Sequence, residues 1–302
     1  GLFYSDLKQY KRATRVFLRF VKRFRQNPKS QEAYFLLGYN LQLSGKYDKA
    51  LEYYGKIASD DTGGKLFYAA LKNTVLIYLN NGNEDKAEET LMRIITDFEK
   101  NDLETGTYIW LAERYLNKKR FKDVLNVIEK AEANNGLSQK AGEIAYLKAE
   151  SERELGNLTE ADKLYDVVLS SQDGDGYYAA SHIGKGLCFV ETGDFEKAKK
   201  EFEAAIETSP EDNAITIKAR FEMANAESLS GHIEEAGKLY MLVDILYSDN
   251  YYCPESLLRA GKLFEKMGRK KEAVALYEEI INKYSKTHAA REAEERISNL
   301  AG

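Results

Sequence analysis

Gly186-Leu187-Cys188-Phe189-Val190-Glu191-Thr192-Gly193-Asp194-Phe195-Glu196-Lys197-Ala198 is the stretch that decides the fold, continued by Phe202, Ala205 and Pro210. Its centre, Gly193 to Ala198, returns along the chain. The copies are Gly45-Lys46-Tyr47-Asp48-Lys49-Ala50, Gly82-Asn83-Glu84-Asp85-Lys86-Ala87 and Lys119-Arg120-Phe121-Lys122-Asp123-Val124. Gly156-Asn157-Leu158-Thr159-Glu160-Ala161, Gly231-His232-Ile233-Glu234-Glu235-Ala236 and Gly268-Arg269-Lys270-Lys271-Glu272-Ala273 complete the set. Successive first residues differ by 37, 37, 37, 37, 38 and 37 positions, and one period before Gly45 stands Lys8. A period of this size means a solenoid, in which each unit buries its apolar face against its neighbours.

One unit shows how the pattern folds. Tyr34, Leu37, Gly38, Leu41 and Leu43 place apolar or small groups at helical spacing, predicting a first helix, A. Gly45 ends it in the left-handed conformation that glycine enters without steric penalty. Tyr47, Ala50, Leu51, Tyr54 and Ile57 then share one face of a second helix, B. Small residues recur at the level of Gly38 (Ala112, Ala149, Gly186, Ala224, Gly261), and large ones at the level of Tyr54 (Leu91, Ile128, Tyr165, Phe202, Tyr240, Tyr277). Lys119 stands where the turn needs glycine, a substitution expected to cost about 1 kcal/mol. All three prolines, Pro28, Pro210 and Pro254, are read as lying just before helices.

This order of small residue, turn glycine, aromatic-x-x-Ala and a further aromatic resembles the tetratricopeptide repeat. The resemblance implies an all-α, right-handed superhelical solenoid of about seven and a half helix-turn-helix repeats with a C-terminal capping helix. Residues 1–29 are read as a basic half-repeat opening on a B helix without its A partner, 30–285 as seven repeats and 286–302 as the cap. The units are longer than the family's usual length, which implies extended B-to-A loops such as Asp60-Asp61-Thr62-Gly63-Gly64.

Two surfaces stand out. The net charge of −5 hides an asymmetry: residues 1–30 hold nine Lys or Arg against the single acid Asp6, leaving 35 basic and 48 acidic residues elsewhere. Arg12, Arg15, Arg19 and Arg23 lie on one stripe of the first long helix, suited to an acidic partner or an anionic surface; nucleic acid is not the expected ligand. The second surface is the concave face, which the family lines with helix-A residues. Those positions include Phe35, Tyr39, Lys72, Trp110, Glu113, Tyr146, Glu150, Phe221 and Asn225, a mixed aromatic and acidic groove that suits a partner segment with apolar anchors and basic flanks. The family's carboxylate clamp requires Lys and Asn four apart on one helix. Leu76 follows Lys72 and Phe221 precedes Asn225, so that clamp is missing. Tyr177-Tyr178 and Tyr251-Tyr252 are read as fillers between units.

Chemistry-bearing motifs are sparse. His182, His232 and His288 have no Cys or His at metal-ligand spacing, so neither a metal nor another cofactor is expected. Asp173-Gly174-Asp175-Gly176 has Gly184 where a calcium loop needs glutamate, and is read as a flexible loop. No apolar run approaches the length of a membrane span. Cys188 and Cys253 fall in well-separated units and are not expected to pair.

The sequence therefore points to a non-enzymatic protein–protein interaction scaffold. Phe17-x-x-Phe20-x-x-x-Phe24-x-x-x-Pro28-x-Ser30-x-x-Ala33 and Tyr277-x-x-Ile280-x-x-x-Tyr284-Ser285-Lys286 look like the phrasing of bacterial cell-envelope members of the family. That resemblance implies a component or assembly factor of an envelope complex, in the periplasm or at the outer membrane; the alternative location is the cytoplasm. The alternative function is a regulatory receptor for a short peptide or small ligand in the groove.

Overall fold

Each turn of the repeat is set by one backbone residue. Lys8 (φ 55°), Gly45 (73°), Gly82 (68°), Lys119 (57°), Gly156 (83°), Gly193 (80°), Gly231 (91°) and Gly268 (74°) all occupy the left-handed region. The chain then closes back on the helix it has left. The N–H of Lys46 donates to the carbonyl of Leu41 at 2.9 Å, and that of Asp194 to Phe189 at 2.8 Å, five residues earlier in both cases. This is the bond pattern that satisfies the last carbonyls of a helix. Arg120 repeats it with Tyr115 at 2.8 Å, so Lys119 performs the glycine's role despite its side chain.

The computed structural model describes residues 1–57, 64–135 and 140–301. Asp60 to Gly63 of the expected long loop lie outside the described residues. Two units arise from the chain's contacts, and every described element of regular structure is helical.

The first unit, Gly1–Glu104, holds α1 (Leu2–Asp6), α2 (Tyr10–Arg23), α3 (Ser30–Leu43), α4 (Tyr47–Tyr54), α5 (Lys65–Asn80) and α6 (Glu84–Asp97). The expectation that the chain opens directly on a B helix needs correction. α1 supplies one helical turn before it, and Lys8 makes the turn between them. α4 is shorter than its counterparts, ending before Gly55, so Ile57 is buried beyond the helix rather than on its face.

The second unit, Thr105–Gly302, continues with α7 (Thr105–Asn117), α8 (Phe121–Asn135), α9 (Ala141–Glu154) and α10 (Leu158–Ser170). After a 3-10 turn (Gln172–Tyr177) come α11 (Tyr178–Thr192), α12 (Phe195–Thr208), α13 (Asn213–Leu229) and α14 (Ile233–Leu246). α15 (Tyr252–Lys266), α16 (Lys270–Lys283) and α17 (His288–Ala301) close it. Pro254 sits inside the first turn of α15 instead of before the helix, at a position where its missing N–H breaks no helical bond. The Asp173–Gly176 segment is part of the ordered 3-10 turn, not a loose loop: Gly174 is buried and packs against Gly142 at the start of α9.

Burial follows the small-and-large pattern within each helix pair. Tyr165, Phe202, Tyr240 and Tyr277 are fully buried, as are Ala149, Ala161, Ala198, Ala224, Ala236 and Ala273. Gly186 faces the ring of Phe202, and Gly261 that of Tyr277, with no space for a side chain between them. Cys188 and Cys253 are separate buried thiols. Helix starts are capped where the sequence allows: Asp212 accepts from the N–H of Ala214 at 2.9 Å and of Ile215 at 3.3 Å.

Candidate functional site

The A helices α7 and α9 and the 3-10 turn after α10 bring together Glu113, Glu143, Tyr146 and Tyr177. The turn does the positioning. Asp173 accepts a hydrogen bond from the N–H of Gly142 at 3.1 Å, placing a carboxylate at the N-terminus of α9, where the helix dipole favours it. This holds Tyr177 over α9. Its ring stacks on Tyr146 with centroids 4.6 Å apart, and its hydroxyl donates to Glu143 at 3.1 Å. Lys140 bridges to Glu143 at 2.8 Å from the other side.

The electrostatics are acidic. Partial burial and the neighbouring Glu143 carboxylate raise the Glu113 carboxyl above its ordinary range, against the opposing pull of Lys140. Burial, then Glu143, push the Tyr177 hydroxyl up to about 12. Such a surface offers aromatic faces beside the Glu113 carboxylate, with Glu143 already paired to Lys140, a combination that attracts cationic side chains and apolar groups together.

Glu150 is one turn further along α9 and has a different job. It accepts a hydrogen bond from Tyr165 at 2.5 Å and one from Arg153 at 3.1 Å, while Arg153 also reaches Glu154 at 2.6 Å. These contacts lock α9 to α10. Trp110 on α7 is half-buried, with the Arg114 guanidinium 5.7 Å from its ring centre.

The other expected groove residues are dispersed. Phe221 is only 4% exposed and packs edge-on against Tyr240 and Tyr252, so it serves the core. Asn225 accepts from Arg259 at 3.4 Å and donates to Glu222 at 3.2 Å. In the first unit, Phe35 and Tyr39 lie parallel with centroids 6.3 Å apart, and Tyr39 is exposed. Lys72 is paired with Asp102 at 2.8 Å, and Asp102 is also held by the Tyr68 hydroxyl. Arg12, Arg15, Arg19 and Arg23 are all exposed on α2. Of the tyrosine pairs, Tyr177, Tyr178 and Tyr252 fill space between elements, whereas Tyr251 is exposed.

Sequence reasoning missed the roles of Lys140, whose partner Glu143 is three residues away, and of Asp173, whose contact spans 31 residues and depends on the unforeseen 3-10 turn. Among the described residues no cluster of three metal-ligating side chains occurs, and no helix is long and apolar enough to cross a membrane.

Antiparallel helix pairs repeated on one period, each turned by a left-handed residue and packed small against large, define a helical-repeat interaction protein. Models of the tetratricopeptide repeat match residues 4–64, 179–212 and 255–287. The chain is a tetratricopeptide repeat protein, a class of generally non-catalytic modules that hold other proteins. Comparison with curated protein sequences returned no match. Among solved structures, PilW, described as a widely conserved type IV pilus biogenesis factor, is similar with a TM-score of 0.54. The identity is 15%, over 75% of this chain and 97% of PilW. Pseudomonas aeruginosa pilF gives 0.50 at 16% identity, over 76% and 97%. Yeast Tom70 gives 0.50 at 13%, over 99% of this chain and 60% of Tom70. At these identities the likeness is one of fold.

Proposed function

We propose that the protein is a non-enzymatic scaffold that receives a basic, apolar-anchored segment of a protein partner on the α7–α9 face. The observation that carries this reading is the Tyr146–Tyr177 stack beside Glu113 and Glu143. Aromatic faces supply apolar area at low entropic cost, and the carboxylates select a cationic flank. We further place it as a component or assembly factor of a bacterial envelope complex. That step rests on the Phe17-to-Ala33 and Tyr277-to-Lys286 phrasing; PilW, one fold relative, bears a pilus biogenesis role in its own description.

Trp110 is the sole tryptophan and lies on α7 with Glu113, so its emission reports on this face alone. Titration with a lysine-flanked peptide carrying leucine anchors should shift that emission to the blue and saturate. Glu113→Lys with Tyr177→Ala should weaken the peptide about tenfold or more. A saturable shift unchanged in that double variant, or no shift at all, would reject the site. Fractionation of cells expressing the full-length gene tests the envelope assignment separately.

A further inference from the structure

The outward face of α14 breaks a rule that the other B helices keep. Fourteen and fifteen residues after the turn residue they carry polar pairs such as Thr96-Asp97, Ser170-Ser171 and Asn282-Lys283, whereas α14 carries Ile245-Leu246. No other unit has an aliphatic side chain larger than alanine at either position. Ile245 is 71% exposed and Leu246 50%. Met241 and Leu242, one turn earlier and half-buried, extend the stripe along the side of the helix opposite the buried Ala236, Tyr240 and Val243. Helix pairs stand both before and after α14: it shares α13 with α12, and α15 with α16. The exposure is therefore a property of α14's own sequence and not of an absent neighbour. Exposed stripes of large apolar groups mark interaction sites.

The flanks of the stripe are acidic. Glu203 and Glu207 on α12 and Glu278 on α16 are exposed, and none forms an ion pair among the described residues. The cations of this region are mostly engaged. Lys283 on α16 is held by Asp244 of α14 at 3.0 Å and by Glu279 at 2.5 Å. Lys199 bridges to Glu227, and Arg220 on α13 donates to the Tyr247 hydroxyl at 3.0 Å. Lys238 lies between Glu234 and Glu235 at 3.8 and 3.7 Å. Lys200 has no ion pair among the described residues; it stands one turn before Glu203, at the level of Lys238, where the acidic stretch ends. Beside the stripe, Glu203, Glu207, Glu278, Glu279 and Asp244 outnumber Lys283 and Arg220.

From this juxtaposition we propose that the outward face of α14 docks an amphipathic helix of a protein partner, apolar along one stripe and rich in lysine or arginine on both sides of it. The partner's apolar side chains straddle Leu242, Ile245 and Leu246, ridge into groove as packed helices do. Its cations meet Glu203 and Glu207 on one side and Glu278 on the other. Charge complementarity selects this occupant. A membrane binds apolar ridges that have basic flanks, and an anionic bilayer is repelled by acidic ones. Nucleic acid is turned away by the same charge. The surface is built by α12, α14 and α16 and shares no residue with the α7–α9 face, so either reading stands or falls alone.

Fluorescence anisotropy tests it with two labelled peptides of about 18 residues, equal in composition. One sets leucines along a single helical stripe with lysines on both sides; its twin has the order scrambled. The full chain is titrated as it stands and with Glu113→Lys plus Tyr177→Ala, which separates any binding at the α7–α9 face. In both, the amphipathic peptide should bind at least about tenfold more tightly than the scrambled one, and weaken as salt is raised. Ile245→Ser with Leu246→Ser gives α14 the pair that α10 carries as Ser170-Ser171, and should lose at least about tenfold. Glu203→Lys, Glu207→Lys and Glu278→Lys together should lose a comparable factor. Circular dichroism melting should be unchanged in both sets, because every altered side chain is exposed; if the triple reversal melts early, the Gln triple takes its place. Equal binding of the two peptides, undiminished binding in either set of variants, or no peptide binding overturns the proposal. Self-association of the chain that the serine pair abolishes, in place of peptide binding, also overturns it and makes the face an interface between copies. So does binding confined to phosphatidylglycerol vesicles, which would make the surface a lipid contact.

Discussion

Gly38 lies against the ring of Tyr54 so closely that a Cβ on the glycine would sit 2.7 Å from the tyrosine carbons. Gly186 and Phe202, and Gly261 and Tyr277, stand in the same relation and the same sixteen residues apart. The A and B helices of a pair approach where one side chain is absent and the opposing one is a full ring. Volume is conserved across the contact, so neither residue can be enlarged alone.

Gly186→Ala should accordingly destabilise the protein by about 1–3 kcal/mol through overpacking against Phe202. Intrinsic helix propensity acts the other way, favouring alanine by about 1 kcal/mol. Urea denaturation distinguishes the two: a midpoint that rises, or stays put, would show that propensity wins and the packing account fails. Pairing the change with Phe202→Leu should recover part of the loss.

Lys119→Gly should stabilise the protein by on the order of 1 kcal/mol, since the residue holds φ 57° where a side chain is strained. The reciprocal change, Gly156→Lys, should cost a similar amount, as φ is 83° there. The same denaturation measurement serves both. Opposite signs are required; a neutral result at both sites would mean the turn stores no strain.

Glu227 is predicted to make folding acid-sensitive. Burial alone would raise its carboxyl, but hydrogen bonds from Lys199 and His232, the latter at 2.8 Å, outweigh that and hold it below the ordinary glutamate range. A depressed folded-state pKa contributes stability above the unfolded carboxylate value near ~4.3, lost as pH falls through the folded one. Glu227→Gln should cost about 1–3 kcal/mol at neutral pH. Its gap from the parent should close on acidification below about pH 4, and a gap constant from pH 7 to 3 would exclude this linkage.

Cys188 should be inert while the protein is folded. Burial pushes its thiol up to about 12 despite the nearby Arg153, and Cys253 is likewise raised by burial. Only the thiolate reacts quickly with disulfide reagents. A colorimetric thiol assay at pH 8 should detect no fast-reacting group in buffer and both cysteines in denaturant.

The repeat was readable because its determinants are local. A turn residue, a small residue seven positions before it and a ring nine positions after it lie within one 37-residue beat. Lys119 is an exception to the glycine rule on spacing alone, and its left-handed φ bears that out, as does that of Lys8 one period before Gly45. The single turn of α1 and the 3-10 turn at Gln172–Tyr177 were missed because neither has a hydrophobic period long enough to register. The candidate site was less legible for the same reason. Mapping by repeat position placed Glu113 and Tyr146 correctly on A helices. It could not foresee that Asp173 would anchor Tyr177 over them, or that Phe221 would turn into the core. Glu150 looked like groove chemistry and is a tie between helices, a distinction carried by its contacts with Tyr165 and Arg153 rather than by residue type.

The left-handed residue at every beat has a consequence for how such a chain can change length. Gly156 and Gly193 end equivalent helices in equivalent geometry, with N–H groups bonded to Arg153 at 2.9 Å and Val190 at 3.1 Å. Excising residues 157–193 would join Gly156 directly to Asp194, delivering α9 into α12 with the reversal intact and Ala149 opposite Phe202. The molecule can thus gain or lose whole beats by recombination at its turns without any joint having to be reinvented.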